Sequence, residues 1–160
     1  MLSQKPERVL RQKLHASREK FRQYIDHAPD GVFVVDETGR YREVNPAGCR
    51  ITGYSEQELL SMTIADILAP ESVAEGMARF AELQRNGEMQ AEFRFVHRDG
   101  SYRWWSVDAV KLAENRFLGF SKDITERKML ETTQAFLLHS GYGRPEEDFF
   151  AALARHLGDT

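Results

Sequence analysis

The side chains best suited to nucleophilic or metal chemistry in this 160-residue chain are five histidines (His15, His27, His97, His139 and His156) and one cysteine, Cys49. A metal site needs such groups at short, fixed intervals. None of these histidines sits at ligand spacing from a carboxylate or from Cys49. Cys49 falls at a helix start without a nearby histidine to activate it, no Gly-rich phosphate loop follows a strand, and no G-x-S-x-G elbow occurs. No catalytic residue and no metal ligand is assigned. Four polar stretches remain, each with two readings. Asn45-Pro46 can serve a ligand or cap a helix, and Asp99-Gly100 can serve a ligand or turn a hairpin. Tyr54 can donate its hydroxyl into a pocket or simply pack. Asp123-Ile124-Thr125 can couple a strand to the helix that follows or merely cap that helix.

The elements that position these residues follow from patterning. Leu10, Leu14, Ser17, Phe21, Tyr24 and Ala28 recur at intervals of four and three, a heptad seam with one polar member, and Pro29 ends that helix. Val32 to Asp36 and Tyr41 to Val44 read as strands joined by the turn Glu37-Thr38-Gly39-Arg40. Helix signals then crowd together. Asn45 and Pro46 open one helix that Gly53 stops; Ser55-Glu56-Gln57-Glu58 is a capping box; Ser72-Val73-Ala74-Glu75 is read as another, opening a helix that closes at Asn86-Gly87. Met89 to Phe95 alternates in period two, and strands over Tyr102 to Leu112 and Arg116 to Ser121 follow the turn at His97-Arg98-Asp99-Gly100. Strands grouped in this way, rather than alternating with long helices, predict an α+β antiparallel sheet with helices on one face.

Beyond Asp123 a helical stripe (Met129, Leu130, Thr133, Phe136, Leu137) runs to Ser140-Gly141. After the breaker Gly141-Tyr142-Gly143-Arg144-Pro145, a second amphipathic helix carries Phe149, Phe150, Leu153 and Leu157. The organisation expected is a helix over 1–28, a domain over 29–125, a linker helix over 126–140, and the start of a following domain over 141–160.

Charge and composition narrow the function classes. The net charge is −3, but residues 1–28 carry seven cations against three anions, which leaves −7 on the remainder. A basic helix can meet nucleic acid or an anionic membrane. Here its opposite face is patterned for a protein partner and no base-reading motif follows, so a solvated face is expected and nucleic acid is not. No run approaches the roughly 18 apolar residues of a membrane span, and one cysteine without an apolar leader points to a reducing, cytoplasmic setting.

Five motifs in order resemble the PAS domain, a sensor module of bacterial signalling proteins. They are Gly31-Val32-Phe33-Val34-Val35-Asp36, Tyr41-Arg42-Glu43-Val44-Asn45-Pro46-Ala47, Gly53-Tyr54-Ser55-Glu56-Gln57-Glu58-Leu59, Arg98-Asp99-Gly100-Ser101-Tyr102-Arg103-Trp104 and Asp123-Ile124-Thr125-Glu126-Arg127-Lys128. The resemblance implies a five-stranded antiparallel sheet whose helices enclose a pocket. It also implies a role in sensing a ligand, cofactor or redox state for an attached output domain, such as that of a histidine kinase or a cyclic-dinucleotide enzyme. The tail from Phe149 is similar over a dozen residues to the opening helix of a GAF domain.

Alternation on the longest strand, with the resemblance fixing the face, turns Trp105, Val107 and Ala109 inward and Tyr102 and Trp104 outward. The expected pocket lining is Phe33, Val35, Asn45, Ile51, Tyr54, Leu60, Ile64, Ile67, Phe80, Phe93, Phe95, Trp105, Val107 and Leu118. Aromatics at this density either fill the interior or flank a flat ring, so the cofactor reading stays between none and noncovalent FAD. The resemblance implies that a cysteinyl-flavin photosensor carries its cysteine in the short helix before the long one and a haem sensor its histidine on the long helix; Thr63 to Ala69 contains no cysteine and Glu71 to Gly87 no histidine, so both are disfavoured. Signal coupling is expected at Asp123, Ile124 and Thr125. A homodimer seam is expected at Leu10, Leu14, Phe21, Tyr24 and Trp104, with the Phe21/Tyr24 end of the first helix covering Trp104 and Tyr102. The competing reading is a ligand-free dimerisation spacer with a filled core.

Overall fold

A computed structural model describes residues 4–139, together with positions 155 and 158. The order is α1 (Gln4–Asp26), β1 (Gly31–Val35), β2 (Tyr41–Val44), α2 (Pro46–Thr52), α3 (Glu56–Leu60) and α4 (Ile64–Ile67). After a 3-10 turn (Pro70–Ser72) come α5 (Val73–Asn86), β3 (Glu88–Val96), β4 (Tyr102–Ala113), β5 (Arg116–Asp123) and α6 (Thr125–His139). The five strands form one antiparallel sheet in the order β2-β1-β5-β4-β3. The α+β architecture expected from the grouping of strands is therefore present.

Local chemistry explains the punctuation. Asp36 closes the β1–β2 hairpin: Oδ1 accepts from Thr38 N at 2.9 Å, the Thr38 hydroxyl at 2.6 Å and Arg40 N at 3.1 Å, while Oδ2 accepts from Arg42 Nε at 2.8 Å. Burial by itself raises the Asp36 pKa, but these hydrogen bonds outweigh it and bring the group down to about 2. The turn passes through Gly39 at φ +79°, a conformation that favours glycine. Ser55 and Glu58 exchange side-chain-to-backbone hydrogen bonds at 3.2 and 2.8 Å, the capping box of α3.

One expected cap is corrected. Ser72 makes no side-chain cap, because Pro70 starts a 3-10 turn and leaves Ser72 at φ −93°, ψ −9°, outside the extended conformation from which an N-cap side chain reaches back. A box the sequence reading missed lies at Thr63, whose N–H donates to Asp66 Oδ2 at 2.7 Å.

Helices α2 to α5 cover one face of the sheet and bury a single core that includes Phe33, Leu59, Ile67, Phe80, Phe95, Trp105 and Phe117. The seam of α1 lies open, with Leu10 60%, Leu14 51%, Phe21 64% and Tyr24 64% exposed. The helix and GAF-like start expected over 141–160 lie outside the described residues.

Candidate functional site

The covered face of the sheet is built from rows of cross-strand neighbours. One row runs Phe33, Gly119, Ala109, Met89 across β1, β5, β4 and β3, and the next runs Gly31, Ser121, Val107, Ala91. Side chains in a row share a face. The two central strands therefore place Gly119, Ala109 and Ser121, three small residues, between the large rings of Phe33, Phe93, Trp105 and Phe117. Helix α5 supplies the opposite wall with Gly76, Phe80 and Leu83. The mismatch leaves a cavity of about 70 Å³. Its source is visible at Gly119, where a Cβ would meet only Val107 Cγ1, at 3.9 Å.

The lining is apolar and carries no charged side chain. Trp105 stacks on Phe95 with ring centroids 4.5 Å apart, Phe33 meets Trp105 at 6.0 Å, and Phe80 meets Phe117 edge-on at 5.3 Å. Trp105 is 3% exposed, and its indole Nε1–H is buried without an acceptor among the described residues. Such a donor costs about 1–3 kcal/mol relative to a paired one.

Of the residues assigned to the pocket from sequence, Phe33, Val35, Ile64, Phe80, Phe93, Trp105, Val107 and Leu118 border the cavity. Leu118 does so at the sheet: it alternates with the buried Phe117, so its side chain belongs to the opposite face. Ile67 and Phe95 are fully buried in the core, and Ile51 and Tyr54 pack against its flank, all away from the cavity; Leu60 is exposed. Asn45 is a structural residue. Its Oδ1 accepts from Val32 N and Gly48 N at 2.8 and 2.9 Å, and its Nδ2 donates to the carbonyls of Ile25 and Asp30 at 2.9 and 3.1 Å. With both donor hydrogens and both acceptor positions occupied, it has nothing left for a ligand. The sequence reading omitted Tyr41, Leu68, Gly76, Leu83, Met89, Phe117, Gly119 and Ser121 and turned Ala109 inward without assigning it to the pocket; these nine complete the lining.

The open face carries the exit from the sheet. Trp104, adjacent to Trp105 but on the opposite face, donates its N–H to Thr125 Oγ1 at 3.0 Å, and its carbonyl accepts from Ile124 N at 2.9 Å. Asp123 Oδ1 takes the Thr125 N–H and hydroxyl at 2.9 and 2.6 Å. The three residues assigned to coupling thus meet at one strand–helix junction. Lys128 Nζ lies 5.0 Å from the Trp104 ring centre, and Arg94 stands 4.7 Å over Tyr102. Within one chain Lys128 of α6 and Arg94 of β3 meet these outer rings, and Tyr102 stays 49% exposed. Glu92, which no motif singled out, receives Arg127 Nη2 on one oxygen and Lys128 Nζ at 2.6 Å on the other. Hydrogen bonds from Lys128 and Arg127 hold its carboxyl below the usual range.

The space, about 70 Å³, is smaller than the roughly 150 Å³ that holds benzene, so a flavin or a porphyrin requires the walls to move apart. Cys49 packs against the core outside the cavity lining, and burial pushes its thiol pKa up, away from the thiolate. Among the described residues no group of three or more His, Cys, Asp or Glu could hold a metal ion.

Comparison with known proteins gives a consistent result. The profile described as PAS fold matches residues 19–124. The sensor histidine kinase TmoS of Ectopseudomonas mendocina is 28% identical over 128 residues, 75% of this chain and 13% of that protein. The probable diguanylate cyclase DgcE of Escherichia coli is 26% identical over 140 residues, 82% of this chain and 12% of that protein. The chain thus spans about an eighth of the length of these relatives. A domain of the sensory box sensor histidine kinase/response regulator from Geobacter sulfurreducens superposes with a TM-score of 0.61 at 28% identity, over 69% of this chain and 96% of that one.

Proposed function

This chain belongs to the PAS family of sensory domains, and we propose that it detects a small ligand in the cavity beneath its sheet. The result passes through α6 to an output domain of the same polypeptide, that of a sensor histidine kinase or a cyclic-dinucleotide enzyme such as a diguanylate cyclase. A PAS domain is a sensory module, so phosphotransfer or cyclase chemistry belongs to the parent protein. The observation that carries the ligand reading is the space left at Gly119 among otherwise close-packed rings. A spacer has no use for that space, whereas a ligand that fits one arrangement of the walls better than another shifts their equilibrium.

The route outward is short. Trp105 and Phe93 face the cavity, and their chain neighbours Trp104 and Glu92 grip Thr125, Arg127 and Lys128 on the far side. A displacement of either inner ring reaches α6 through one peptide unit. The open seam of α1 supports a homodimer, with a second copy covering Leu10, Leu14, Phe21 and Tyr24. No helix among the described residues is long and apolar enough to cross a membrane, and a single cysteine supports a reducing cytoplasmic setting.

Xenon, which enters apolar cavities, tests the ligand reading. Under xenon pressure the amide resonances of Phe93, Trp105 and Gly119 shift, and Glu92 and Thr125 shift with them. Resonances that stay unmoved would refute sensing and favour the ligand-free spacer.

A further inference from the structure

The outer face of the sheet carries an apolar patch whose ionisable rim has one sign. Alternation turns Val110, Leu118 and Phe120 away from the core, and Val110 and Phe120 are exposed. Two cross-strand rows hold them. One runs Glu88, Val110, Leu118, Val34, Glu43 across all five strands, and the next runs Gln90, Asp108, Phe120, Val32. Every ionisable group in these two rows is a carboxylate, and Glu43, Glu88 and Asp108 are all exposed. Beyond the patch the sign changes. The next outer-face positions of β5 on either side are Arg116 and Lys122, and at the end nearest α6 Arg94 stands over Tyr102 and Lys128 over Trp104.

Helix α1 has the opposite design. Its apolar seam is open, and residues 6–24 are all exposed, so the helix stands clear of its own sheet. On a helical projection Arg11 and Arg18 flank the seam on one side and Lys13 and Lys20 on the other, while Glu19, the one anion between Leu10 and Tyr24, lies on the opposite side. A second α1 is a poor cover for this seam. An antiparallel pair brings Arg11 to Arg18 and Lys13 to Lys20, and a parallel pair brings Lys13 to Arg18, like charges in both cases. The sheet patch fits in sign and in length: Leu10 to Tyr24 runs about 21 Å, and five strands span about 19 Å.

Resting on the reading of the chain as a homodimer, we infer that α1 of each copy lies across the outer sheet face of the other, its seam on Val110, Leu118 and Phe120 and its flanking cations against Glu43, Glu88 and Asp108. The end around Tyr102 and Trp104, where the sequence pattern had placed Phe21 and Tyr24, repels such a helix through Arg94 and Lys128. The exchange is reciprocal, so it closes at two copies and every contact occurs twice.

A charge exchange tests this in sedimentation equilibrium. One variant carries Glu88→Lys with Asp108→Lys, the other Arg18→Glu with Lys20→Glu. The unmodified chain is expected to dimerise, more weakly as salt is raised. Each variant alone is expected to self-associate roughly tenfold more weakly, because an exposed charge pair moves affinity about two- to fivefold and acts twice in a symmetric dimer. Mixed together, the two variants regain the lost affinity, since each then offers the other a helix and a sheet of opposite sign. All four positions are exposed, and those on α1 stand clear of the sheet, so a loss in the second variant is not a loss of the fold. If either variant self-associates as tightly as the unmodified chain, or the mixture does not recover, another surface receives α1 and this inference is overturned while the homodimer stands. If the unmodified chain stays monomeric, both readings fall, and cosedimentation with phosphatidylglycerol vesicles would then assign the seam to a membrane.

Discussion

Gly119→Ala should make the protein more stable and less able to bind. Its Cβ would have Val107 Cγ1 as its nearest contact at 3.9 Å, ordinary van der Waals distance, and the backbone there is not in the left-handed region, so nothing needs to move. Burying one methyl group contributes about 0.8 kcal/mol. Replacing a strand-interior glycine adds about 0.5–1 kcal/mol through the unfolded chain. The sum, about 1.5 kcal/mol, corresponds to a rise in melting temperature of roughly 3–6 °C for a chain of this size. Thermal unfolding followed by circular dichroism measures the shift, and urea unfolding should show a higher midpoint at unchanged slope. The same methyl occupies space the ligand needs, so xenon affinity should fall, and Gly119→Val should abolish it. A lower melting temperature for the alanine variant would refute the reasoning, since it would mean that the small residues of β5 do not face open space.

Other expectations follow from hydrogen bonds. The Asp36 pKa lies near 2 against an ordinary 3.8, so its stabilisation is complete above about pH 4 and is lost as pH falls towards 2. Asp36→Asn should destabilise by about 1–2 kcal/mol at pH 7, less than the whole pKa shift because the amide oxygen still accepts from the Thr38 and Arg40 N–H groups, and the gap from wild type should close near pH 2 in acid unfolding. Asn45→Ala strands the Val32 and Gly48 amides and should lower stability by about 2–4 kcal/mol in urea titrations. Glu92→Gln should speed amide exchange in the first two turns of α6 roughly two- to fivefold, the range an exposed ion pair supplies, while exchange in β1 stays as it was. Leu14→Glu with Phe21→Glu should reduce self-association in sedimentation and leave the sheet's circular dichroism intact.

The strands and the helix stops at Gly53 and Gly87 were legible because each rests on a local pattern: alternation, a cap, a left-handed glycine; alternation also set Trp104 and Trp105 on opposite faces, and the family resemblance said which of them turns inward. The cavity was legible only in its large residues. Ranking apolar side chains by size points to Phe33, Phe80 and Trp105, but the space exists because of Gly119, Ala109 and Ser121, and their significance appears only once β1, β5 and β4 are laid in register. Asn45 was placed in the pocket because an amide suits a ligand, yet the bonds that occupy it come from Ile25, Asp30 and Val32, brought near by the way α1 meets the sheet. Glu92 escaped notice because its partners lie 35 and 36 positions later, beyond any periodicity.

The anchoring of α1 has a mechanical consequence. Its last turn is tied through Asn45 to β1, and α6 is tied through Thr125 to β4. Between those strands runs β5, the bearer of Gly119. A torque delivered from upstream along α1 therefore loads the same central strand that an occupant of the interior would load from below. On the relay proposed for α6, both loads meet in one strand instead of travelling by separate paths.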